Sequence, residues 1–488
     1  MYSYLLERLD ISLISYKTVV SDNSKYRIDD KYYNKKYLNA YNKIMLKAHF
    51  TLGTEIEVLT DFHSNGSYES IAEVFELLDS KDYAYMVRTT DLENDNFSDN
   101  VKYVTKKCYD YLKKSKVYGG ELIINKIGSP GRAFLMPYLN RPVSLGMNQF
   151  MIRTNQNKVL EAFLWVYLNS EIGKKIIYRK VNGTVPLTMD KESIRSLPIP
   201  EFTIDFQKKI ASYVSKANEI KLQYKAKYKE AEALLLDELD FAESDLEIDD
   251  TFISVRSYKQ VMDSKRFDAE FFTPKYDKLL EILKHHRCKK IKDIAPPKKS
   301  IEPGSDAYED SGIPFYRVSN ISKYGLSETD IYIDEKTYYT EELSLKKDTI
   351  LFSKDGSIGI AYKIETDQKA ITSSALLHLK VIDDEVLPDY LALVLNSIIV
   401  KLQAERDAGG SIIQHWKPDE IEEVIIPIID KTKQEHLSDI VKESFRLKAK
   451  SERIVDNLKS IVDKAIEVDE AEGEKLLSEL EQSENLEM

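Results

Sequence analysis

The chain has 488 residues, which is enough for two to four domains, each with its own hydrophobic core. Its two cysteines, Cys108 and Cys288, exclude a disulfide-stabilised scaffold and favour a reducing compartment. The first residues lack a basic segment followed by an apolar run, and the longest apolar stretch (390–400) is too short to span a bilayer. We therefore expect a soluble, intracellular protein with no membrane partner.

The net charge of −12 is unevenly distributed along the chain. Residues 237–250 and residues 467–488 each carry a net charge of −8, so the other 452 residues carry a net charge of +4. Two segments are strongly basic: 101–117 has six Lys and one Asp, and 284–300 has seven Lys or Arg and one acid. Charge runs are usually solvated faces, but a nucleic acid responds to the local field rather than to the total charge. The overall acidity therefore does not exclude DNA.

An internal repeat with an offset of 227 to 242 residues organises the chain. RIDDKYYNKKY (27–37) reappears as RFDAEFFTPKY (266–276), and Gly128-Ser129 with Gly131 reappears as Gly356-Ser357 with Gly359. The other matches are Ser15-Tyr16-Lys17 with Ser257-Tyr258-Lys259, Leu168-Asn169-Ser170 with Leu395-Asn396-Ser397, and Gly183, Ile194, Pro200 and Gln207 with Gly410, Ile421, Pro427 and Gln434. Because these matches keep their order, the sequence predicts a tandem duplication of about 230 residues.

Each copy shows the same order of predicted elements. A short helix rich in Tyr or Phe is followed by a strand-rich region that contains a strand, a Gly-Ser turn and a second strand. An apolar helix then leads to an extended Leu/Ile-Pro stretch. The ranges in the two copies are 27–45 and 266–284, 52–155 and 291–383, 158–177 and 387–404, and 197–202 and 424–429. This order predicts an α+β fold with two mixed α/β domains.

Each copy closes with a long helix that begins just before Gln207 or Gln434. Apolar or small residues recur at alternating spacings of three and four, with Lys and Glu between them, as in the seam of a coiled coil. They are Ile210, Tyr213, Ala217, Ile220, Tyr224, Tyr228, Ala231, Leu235 and Leu239 in the first helix, and Leu437, Ile440, Ser444, Leu447, Ile454, Leu458, Ile461 and Ala465 in the second. We predict that the two helices pair as an antiparallel coiled coil; the alternative is that each packs on its own domain.

The motifs of a self-contained enzyme are missing from the sequence. It has no GxxxxGK[ST] loop for phosphates, no GxGxxG for a nucleotide cofactor, no [DN]PP[YF] for amino-methylation of a base, and no HExxH or paired CxxC for zinc. His285-His286 near Cys288 are poor chelators inside a basic run, and Asp419 is expected to be an acid in the first turn of a helix. We predict a non-catalytic protein with no metal or cofactor of its own.

Two Gly-Ser turns are candidate DNA contacts. Glycine lets the backbone approach a phosphate closely. A flanking Lys or Arg adds positive charge, which strengthens binding to the phosphates of DNA. The candidates are Lys126, Ser129 and Arg132 at the first turn and Lys354, Ser357 and Lys363 at the second. Because Gly-Ser turns are also common in hairpins, a purely structural role is the alternative for each.

Two further segments occupy equivalent places after a strand in the two copies. They are Arg88-Thr89-Thr90-Asp91 and Arg317-Val318-Ser319-Asn320. Arg, Thr, Ser and Asn side chains can hydrogen-bond to base edges in the major groove, although they are also ordinary turn residues. The candidates here are Arg88, Thr89, Arg317, Ser319 and Asn320.

From about residue 15 to about residue 466 the chain resembles the specificity subunit of type I restriction–modification systems. The resemblance rests on RFDAEFF (266–272), KKDTILFSKDGSIG (346–359) and GGSIIQHWKPDEIEEVIIPIIDKTKQEHL (409–437). The first-copy counterparts are RIDDKYY, GGELIINKIGSPG and NGTVPLTMDKESIRSLPIPEFTIDFQKKI (182–210). The most specific feature is the closing pattern, in which Ile or Leu and Pro precede a Gln that opens the long helix. Copy one departs from copy two where Tyr-Tyr replaces Phe-Phe and SPG replaces SIG.

The resemblance implies two target-recognition domains, each of which reads half of a bipartite site in double-stranded DNA, and two long helices that set the spacer. It also implies two methylase subunits that bind S-adenosylmethionine, and restriction subunits that translocate DNA with ATP and magnesium; no cofactor is expected on this chain. The expected domains are a first target-recognition domain (1–206), a first long helix (207–240), an acidic linker (241–256), a second target-recognition domain (257–433), a second long helix (434–466) and an acidic mobile tail (467–488). The alternatives are a recognition module of another methylation-based or phage-defence system, and a protein–protein scaffold that does not bind DNA.

Overall fold

The computed structural model describes residues 14–22, 27–98, 101–183, 186–242, 253–408 and 414–484. The chain divides into two compact units: unit 1 comprises Met1–Ile220 and Lys450–Met488, and unit 2 comprises Lys221–Ala449. Both units mix helices with strands, as the predicted α+β class requires. In the described ranges no helix is both long enough and apolar enough to cross a membrane.

Unit 1 contains two four-stranded sheets. One has the order β2-β9-β6-β7 and is antiparallel; the other has the order β4-β3-β8-β5, in which β3 and β8 are parallel. The strands are β1 (His49–Thr51), β2 (Ile56–Asp61), β3 (Ala84–Val87), β4 (Lys102–Val104), β5 (Lys116–Val117), β6 (Leu122–Asn125), β7 (Ala133–Leu135), β8 (Val143–Leu145), β9 (Gln149–Thr154) and β10 (Pro198–Pro200). The shorter helices of this unit are Tyr16–Asp22, Asp30–Tyr33, Lys35–Met45, Tyr68–Ala72, Thr89–Glu93, Lys106–Tyr111, Glu161–Asn169, Glu171–Arg179, Lys191–Arg195 and Glu470–Glu484.

Unit 2 repeats this plan with a smaller second sheet. Its four-stranded sheet has the order β12-β20-β17-β18, and its three-stranded sheet has the order β16-β13-β19, in which β13 and β19 are parallel. The strands are β11 (Cys288–Lys290), β12 (Pro297–Lys299), β13 (Ile313–Tyr316), β14 (Ile321–Ser322), β15 (Gly325–Leu326), β16 (Tyr332–Ile333), β17 (Thr349–Ser353), β18 (Ala361–Lys363), β19 (Ile371–Thr372), β20 (Leu376–Lys380) and β21 (Ile425–Pro427). The shorter helices are Tyr258–Ser264, Pro274–Lys284, Ile291–Ile294, Glu335–Tyr338, Pro388–Asn396, Ile398–Asp407 and Pro418–Glu422.

The strand before each Gly-Ser turn is a central strand of its sheet. β6 (Leu-Ile-Ile-Asn) and β17 (Thr-Ile-Leu-Phe-Ser) are buried at every residue, as expected for strands covered on both faces. The predicted apolar helix of each copy is in fact two helices, because Ser170 and Ser397 are extended and interrupt the helical backbone. The first helix of each pair, Glu161–Asn169 or Pro388–Asn396, packs on the four-stranded sheet and buries most of its apolar residues.

The glutamine of the closing pattern fastens each long helix to its own unit. The Gln207 side chain accepts a hydrogen bond from Leu160 N–H at 3.0 Å and donates to the carbonyls of Lys158 and Phe202 at 3.0 and 3.1 Å. The Gln434 side chain makes the same three bonds with the residues 227 positions later: Leu387, Glu385 and Ile429, at 3.0, 3.0 and 2.9 Å. Both glutamines are buried.

The arginine–aspartate motif is also used identically in both units. Arg27 binds Asp29 with two nitrogens at 2.8 and 2.9 Å and donates to the Arg179 carbonyl at 3.3 Å. Arg266 binds Asp268 at 2.7 and 2.8 Å and donates to the Asp407 carbonyl at 3.2 Å. Residues that recur in the sequence therefore make the same contacts in both units.

The long helices span Ile204–Glu238 and Lys431–Glu467, and each unit contains part of both. In unit 1 the Ser451 hydroxyl donates to the Ala217 carbonyl, and in unit 2 the Ser444 hydroxyl donates to the Tyr224 carbonyl, both at 2.8 Å. In unit 2 Lys433 also pairs with Glu238. Of the predicted seam residues, all nine in the first helix and six of eight in the second are buried; Ile440 and Leu447 are half-buried.

The expectation of a mobile acidic tail was wrong for residues 470–484, which form a helix packed on unit 1. Leu477 and Leu480 are buried. A Cβ atom at Gly473 would lie 2.9 Å from Phe206 Cζ and 2.9 Å from Ala465 Cβ, so a larger residue would clash there. Acids of this helix pair with bases of unit 1, as Glu474 does with Lys209. The prediction considered only the negative charge of this segment. Its apolar residues recur at helical spacing and pack against unit 1, which holds the helix in place. Of the predicted linker 241–256, residues 243–252 lie outside the described residues.

Candidate nucleic-acid interface

The first Gly-Ser turn joins β6 to β7 in unit 1. Gly128, Ser129 and Gly131 have φ angles of +70°, +52° and +88°, in the left-handed region that glycine adopts readily. The Gly131 N–H closes the turn by donating to the Asn125 carbonyl at 2.9 Å. Ser129 is exposed at the tip. The turn therefore presents backbone and a small hydroxyl to solvent.

The second turn, between β17 and β18 of unit 2, has equivalent glycines, but Ser357 does not share the left-handed backbone of Ser129. Gly356 and Gly359 have φ angles of +71° and +78°, and the Gly359 N–H donates to the Ser353 carbonyl at 2.9 Å. Ser357 is exposed, like its counterpart Ser129. The two units thus carry equivalent Gly-Ser turns at an offset of 228 residues, each closed by a glycine N–H, with different backbones at the serine.

Lys126 follows β6 and is held by a carboxylate that the sequence analysis did not identify. Its Nζ lies 3.3 Å from an oxygen of Asp61, and Nζ of Lys191 lies 3.1 Å from the other oxygen. Burial by itself would raise the pKa of Asp61, but hydrogen bonds from Ser64 and the two lysines hold this pKa below its ordinary value. Asp61 therefore remains charged, and the cluster of two lysines and one carboxylate keeps a net positive charge.

The other basic candidates of unit 1 are also paired with acids. Arg132 lies 3.5 Å from Glu93. Arg88 binds both oxygens of Asp91, at 2.7 and 3.2 Å, immediately before the helix that begins at Thr89. Arg88 and Arg132 are half-buried rather than fully extended into solvent. A DNA contact by either arginine would have to compete with its acidic partner.

In unit 2, Lys354 occupies the place of Lys126. Its N–H donates to the Ala375 carbonyl at 2.9 Å, as that of Lys126 donates to Asn148 at 2.8 Å. Its ammonium pairs with the neighbouring Asp355, whose second oxygen lies 2.8 Å from His415 Nδ1. Two nitrogen groups thus share one carboxylate beside each turn.

The prediction that Lys363 surrounds the second turn was wrong. Lys363 is the last residue of β18 and is buried, with Nζ 2.9 Å from Asp389, 3.3 Å from Glu365 and 3.5 Å from Asp348. Burial alone would lower the pKa of Lys363, but the surrounding acids raise it above its ordinary value. Because its charge is compensated inside the unit, Lys363 cannot contact DNA without unfolding this region.

Arg317 is the most accessible basic candidate. It follows β13, its side chain is exposed, and its guanidinium lies 5.8 Å from the centre of the Tyr308 ring. No acidic partner of Arg317 is found in the part of the chain that the structure describes. Ser319 is exposed beside it, whereas the Asn320 side chain is used inside the turn, where it accepts from Arg317 N–H at 2.9 Å and donates to Ser327 and Glu328.

Each basic segment is paired with acids only in part. In 284–300, Arg287, Lys289, Lys290, Lys292 and Lys298 pair with acids, whereas Lys284 and Lys299 are exposed and have no acidic partner among the described residues. In 101–117, Lys102, Lys106 and Lys116 are paired, but Lys107, Lys113 and Lys114 are exposed and have no acidic partner among the described residues. The sequence could not distinguish the paired from the unpaired residues, because most of the pairing acids lie far away in the chain.

Asp61, Lys191 and His415 lie beside the turns but were missed in the sequence. Asp61 is 65 residues from Lys126, and Lys191 is another 65 residues further on. The sequence signal that was available was position: Lys191 and His415 both lie in the segments that follow Gly183 and Gly410 in the repeat.

One protein-family model matches part of the chain. Residues 287–458 match the type I restriction modification DNA specificity domain. The solved structures that the chain resembles include the S subunit of the type I restriction–modification system of M. genitalium, with 14% identity over 86% of this chain and 95% of that chain and a TM-score of 0.35. The HsdS subunit of Thermoanaerobacter tengcongensis shows 13% identity over 86% and 97%, with a TM-score of 0.27.

A third solved structure, from work on complex assembly and conformational transition of the type I R-M system, shows 11% identity over 88% of this chain and 97% of that chain, with a TM-score of 0.27. No curated protein matches the chain. The family match confirms the resemblance to type I specificity subunits from residue 287 onward; it covers the rest of the second copy and most of the second long helix, but not RFDAEFF (266–272).

Proposed function

We propose that this chain, whose residues 287–458 match the type I restriction modification DNA specificity domain, is the DNA specificity subunit of a type I restriction–modification complex. That match is the observation that carries the proposal. The same family implies DNA and the other subunits of the complex as partners. The chain itself selects the site, and the chemistry belongs to its partners.

Each unit reads one half of a bipartite DNA site as a target-recognition domain. The support is that both units place an equivalent Gly-Ser turn after the same central strand, with Lys126 or Lys354 beside it. The second sheets differ, with four strands in unit 1 and three in unit 2, as expected if the halves read different bases. The proposed direct contacts are Ser129, Ser357, Thr89, Arg317 and Ser319. Lys126, Lys354, Arg88 and Arg132 would contact DNA in competition with their acidic partners.

The two long helices pair as an antiparallel coiled coil, and their length sets the spacer of the DNA site. The serine–carbonyl bonds at Ser451 and Ser444 support this pairing, as does the burial of the predicted seam. The buried glutamines Gln207 and Gln434 fasten each domain to the start of a long helix, so that the helix can act as a ruler. The duplication also offers similar faces to two methylase subunits.

No catalytic step is assigned to this chain. The methylase subunits bring S-adenosylmethionine, and restriction subunits bring ATP and magnesium, if they are present. DNA affinity then arises from phosphate contacts of the two units, and it falls as the salt concentration rises.

Mapping of adenine methylation in the host genome, with and without this gene, tests the proposal. Loss of one bipartite methylated motif on deletion is the expected result. An unchanged methylome, together with active methylation at other motifs, would contradict the proposal. Swapping unit 2 for that of another specificity subunit adds a control, because only one half of the motif should then change.

A further inference from the structure

Two adjacent lysines of unit 1, Lys113 and Lys114, lie at the same end of the unit as the first Gly-Ser turn; we call them the lysine turn. The Lys114 N–H donates to the Asn65 side chain at 2.8 Å. Asn65 ends a short 3-10 helix that begins directly after Asp61, the carboxylate that holds Lys126. A 3-10 helix rises about 2 Å per residue, so its four residues span about 8 Å. The fold thus brings part of the basic segment 101–117 close to the Gly-Ser turn.

The lysine turn is held in place by buried residues on both sides. Leu112 and Ser115 are buried, and the Ser115 hydroxyl accepts a hydrogen bond from the Asn65 side chain. The side chains of Lys113 and Lys114 are exposed between them. Because the backbone of the turn is already ordered, less conformational entropy is lost when its side chains bind a ligand.

The charge of the lysine turn is not compensated within the unit. Among the described residues, no acid forms an ion pair with Lys113 or Lys114. The acid nearest in sequence, Asp110, pairs with Lys106 at 2.6 Å and lies 3.8 Å from Lys116. An exposed pair of uncompensated positive charges creates a local field that attracts a polyanion.

This field is reinforced by the lysines beside the Gly-Ser turn. Lys126 and Lys191 share the single carboxylate of Asp61. Residues 61–70 and 106–117, together with Lys126 and Lys191, contain seven lysines and three acids. These segments therefore carry a net charge of +4, although the chain as a whole has a net charge of −12.

Unit 2 has the opposite charge at the corresponding positions of its sequence. At the offset of 228 residues that the two Gly-Ser turns keep, Lys113 and Lys114 correspond to Glu341 and Glu342. Both glutamates are exposed, and each pairs with a lysine of unit 2. The uncompensated positive charge at this place is therefore a property of unit 1.

We infer that the lysine turn binds DNA phosphates that flank the half-site read by unit 1, and that unit 2 makes no such contact. The inference rests on the proposed function and adds to it a contact that does not depend on base sequence. Phosphates carry negative charge at every nucleotide, so two ordered lysines can bind them whatever bases flank the half-site. The proximity of Lys126 and the Gly-Ser turn favours DNA over an acidic protein as the ligand.

The test measures the salt dependence of DNA binding by the full chain, using fluorescence anisotropy between 50 and 200 mM salt with a duplex that carries its bipartite motif. Lys113→Gln with Lys114→Gln should reduce the slope of log Kd against log salt concentration by about 1.8, because each phosphate contact contributes about 0.9. Over this range, added salt should then weaken binding about 12-fold less than it does for wild type. Lys113→Arg with Lys114→Arg keeps both charges and should keep the wild-type slope. Lys81→Gln with Lys158→Gln, which removes two exposed lysines of unit 1 before β3 and after β9, is the matched control.

A scan of the same duplex with single methylphosphonates, which are uncharged, locates the contact. At a phosphate that the lysine turn binds, the uncharged linkage should weaken binding by wild type but not by the double glutamine variant. Such positions should flank only one half-site, namely the half that is retained when unit 2 is exchanged.

The outcomes separate this inference from the proposed function. If the glutamine variant has the salt slope of wild type, or if the control lowers the slope equally, the lysine turn makes no specific phosphate contact and the inference is overturned, although the proposed function stands. A change in the preferred bases would assign the lysines to base edges, and loss of a protein partner with unchanged DNA binding would assign them to an acidic protein; either result overturns the inference. If wild type does not distinguish its motif from other DNA, the proposed function fails as well. Circular dichroism of each variant must match wild type, as expected for substitutions at exposed residues.

Discussion

Substitution of Gln434 by Met should destabilise unit 2 by about 3 kcal/mol. Gln434 is buried, and its side chain satisfies one N–H, of Leu387, and two carbonyls, of Glu385 and Ile429. Methionine has a similar length but cannot replace these bonds. An orphaned buried N–H costs about 1–3 kcal/mol, and a carbonyl that loses one of its two possible bonds costs less. The sum of these effects gives the expected value.

The assay is differential scanning calorimetry of the full chain. For a unit of this size, about 3 kcal/mol corresponds to a decrease in Tm of roughly 6–12 °C in the transition of unit 2. Gln207→Met should shift the transition of unit 1 by a similar amount, because Gln207 makes the equivalent bonds. Gln223→Met, on an exposed position of the first long helix, is the control. If Gln434→Met lowers Tm no more than this control does, the three bonds do not fasten the helix as described.

Three further predictions concern DNA binding and pH. Arg317→Ala should weaken binding about 5- to 150-fold at one half-site position and relax the base preference there, as measured by fluorescence anisotropy with single-base variants of the site. An equal loss for all DNA sequences would instead assign Arg317 to phosphate. Lys354→Ala should weaken binding uniformly and reduce the salt slope by about 1, and an unchanged salt slope would exclude a phosphate contact. Burial lowers the pKa of His378 from 6.5 to about 4, so the unfolded chain binds a proton between these values that the folded unit does not. The contribution of His378 makes the free energy of unfolding increase with pH through this window. About 3 kcal/mol of that free energy is lost as the pH falls from 6.5 to 4. Urea titrations of wild type and His378→Leu at pH 7 and 4.5 check this, and an equal pH dependence of the two proteins would contradict it.

The order of the predicted elements, and several residues that hold them together, could be predicted from the amino-acid sequence. Gln207 and Gln434 recur at an offset of 227 residues because each makes the same three bonds, and Arg27 and Arg266 recur because each binds an aspartate two positions later. Burial of the long-helix seam also followed from spacing alone, since residues three and four positions apart share one side of a helix. Such features are readable because their physical cause is local or repeated.

Which charged side chains are available for binding depends on the fold and could not be predicted. Lys363 lies four residues after the second Gly-Ser turn, yet Asp389, from a helix that packs on its strand, helps to bury it. Lys126 is held by Asp61, and Arg317 has no acidic partner in the described ranges, although both look alike as basic residues near turns. The last helix shows the same limit, because Leu477 and Leu480 bind it to unit 1 despite its charge. A charge or an apolar residue acquires its role from neighbours that are distant in sequence, and folding is what brings them together.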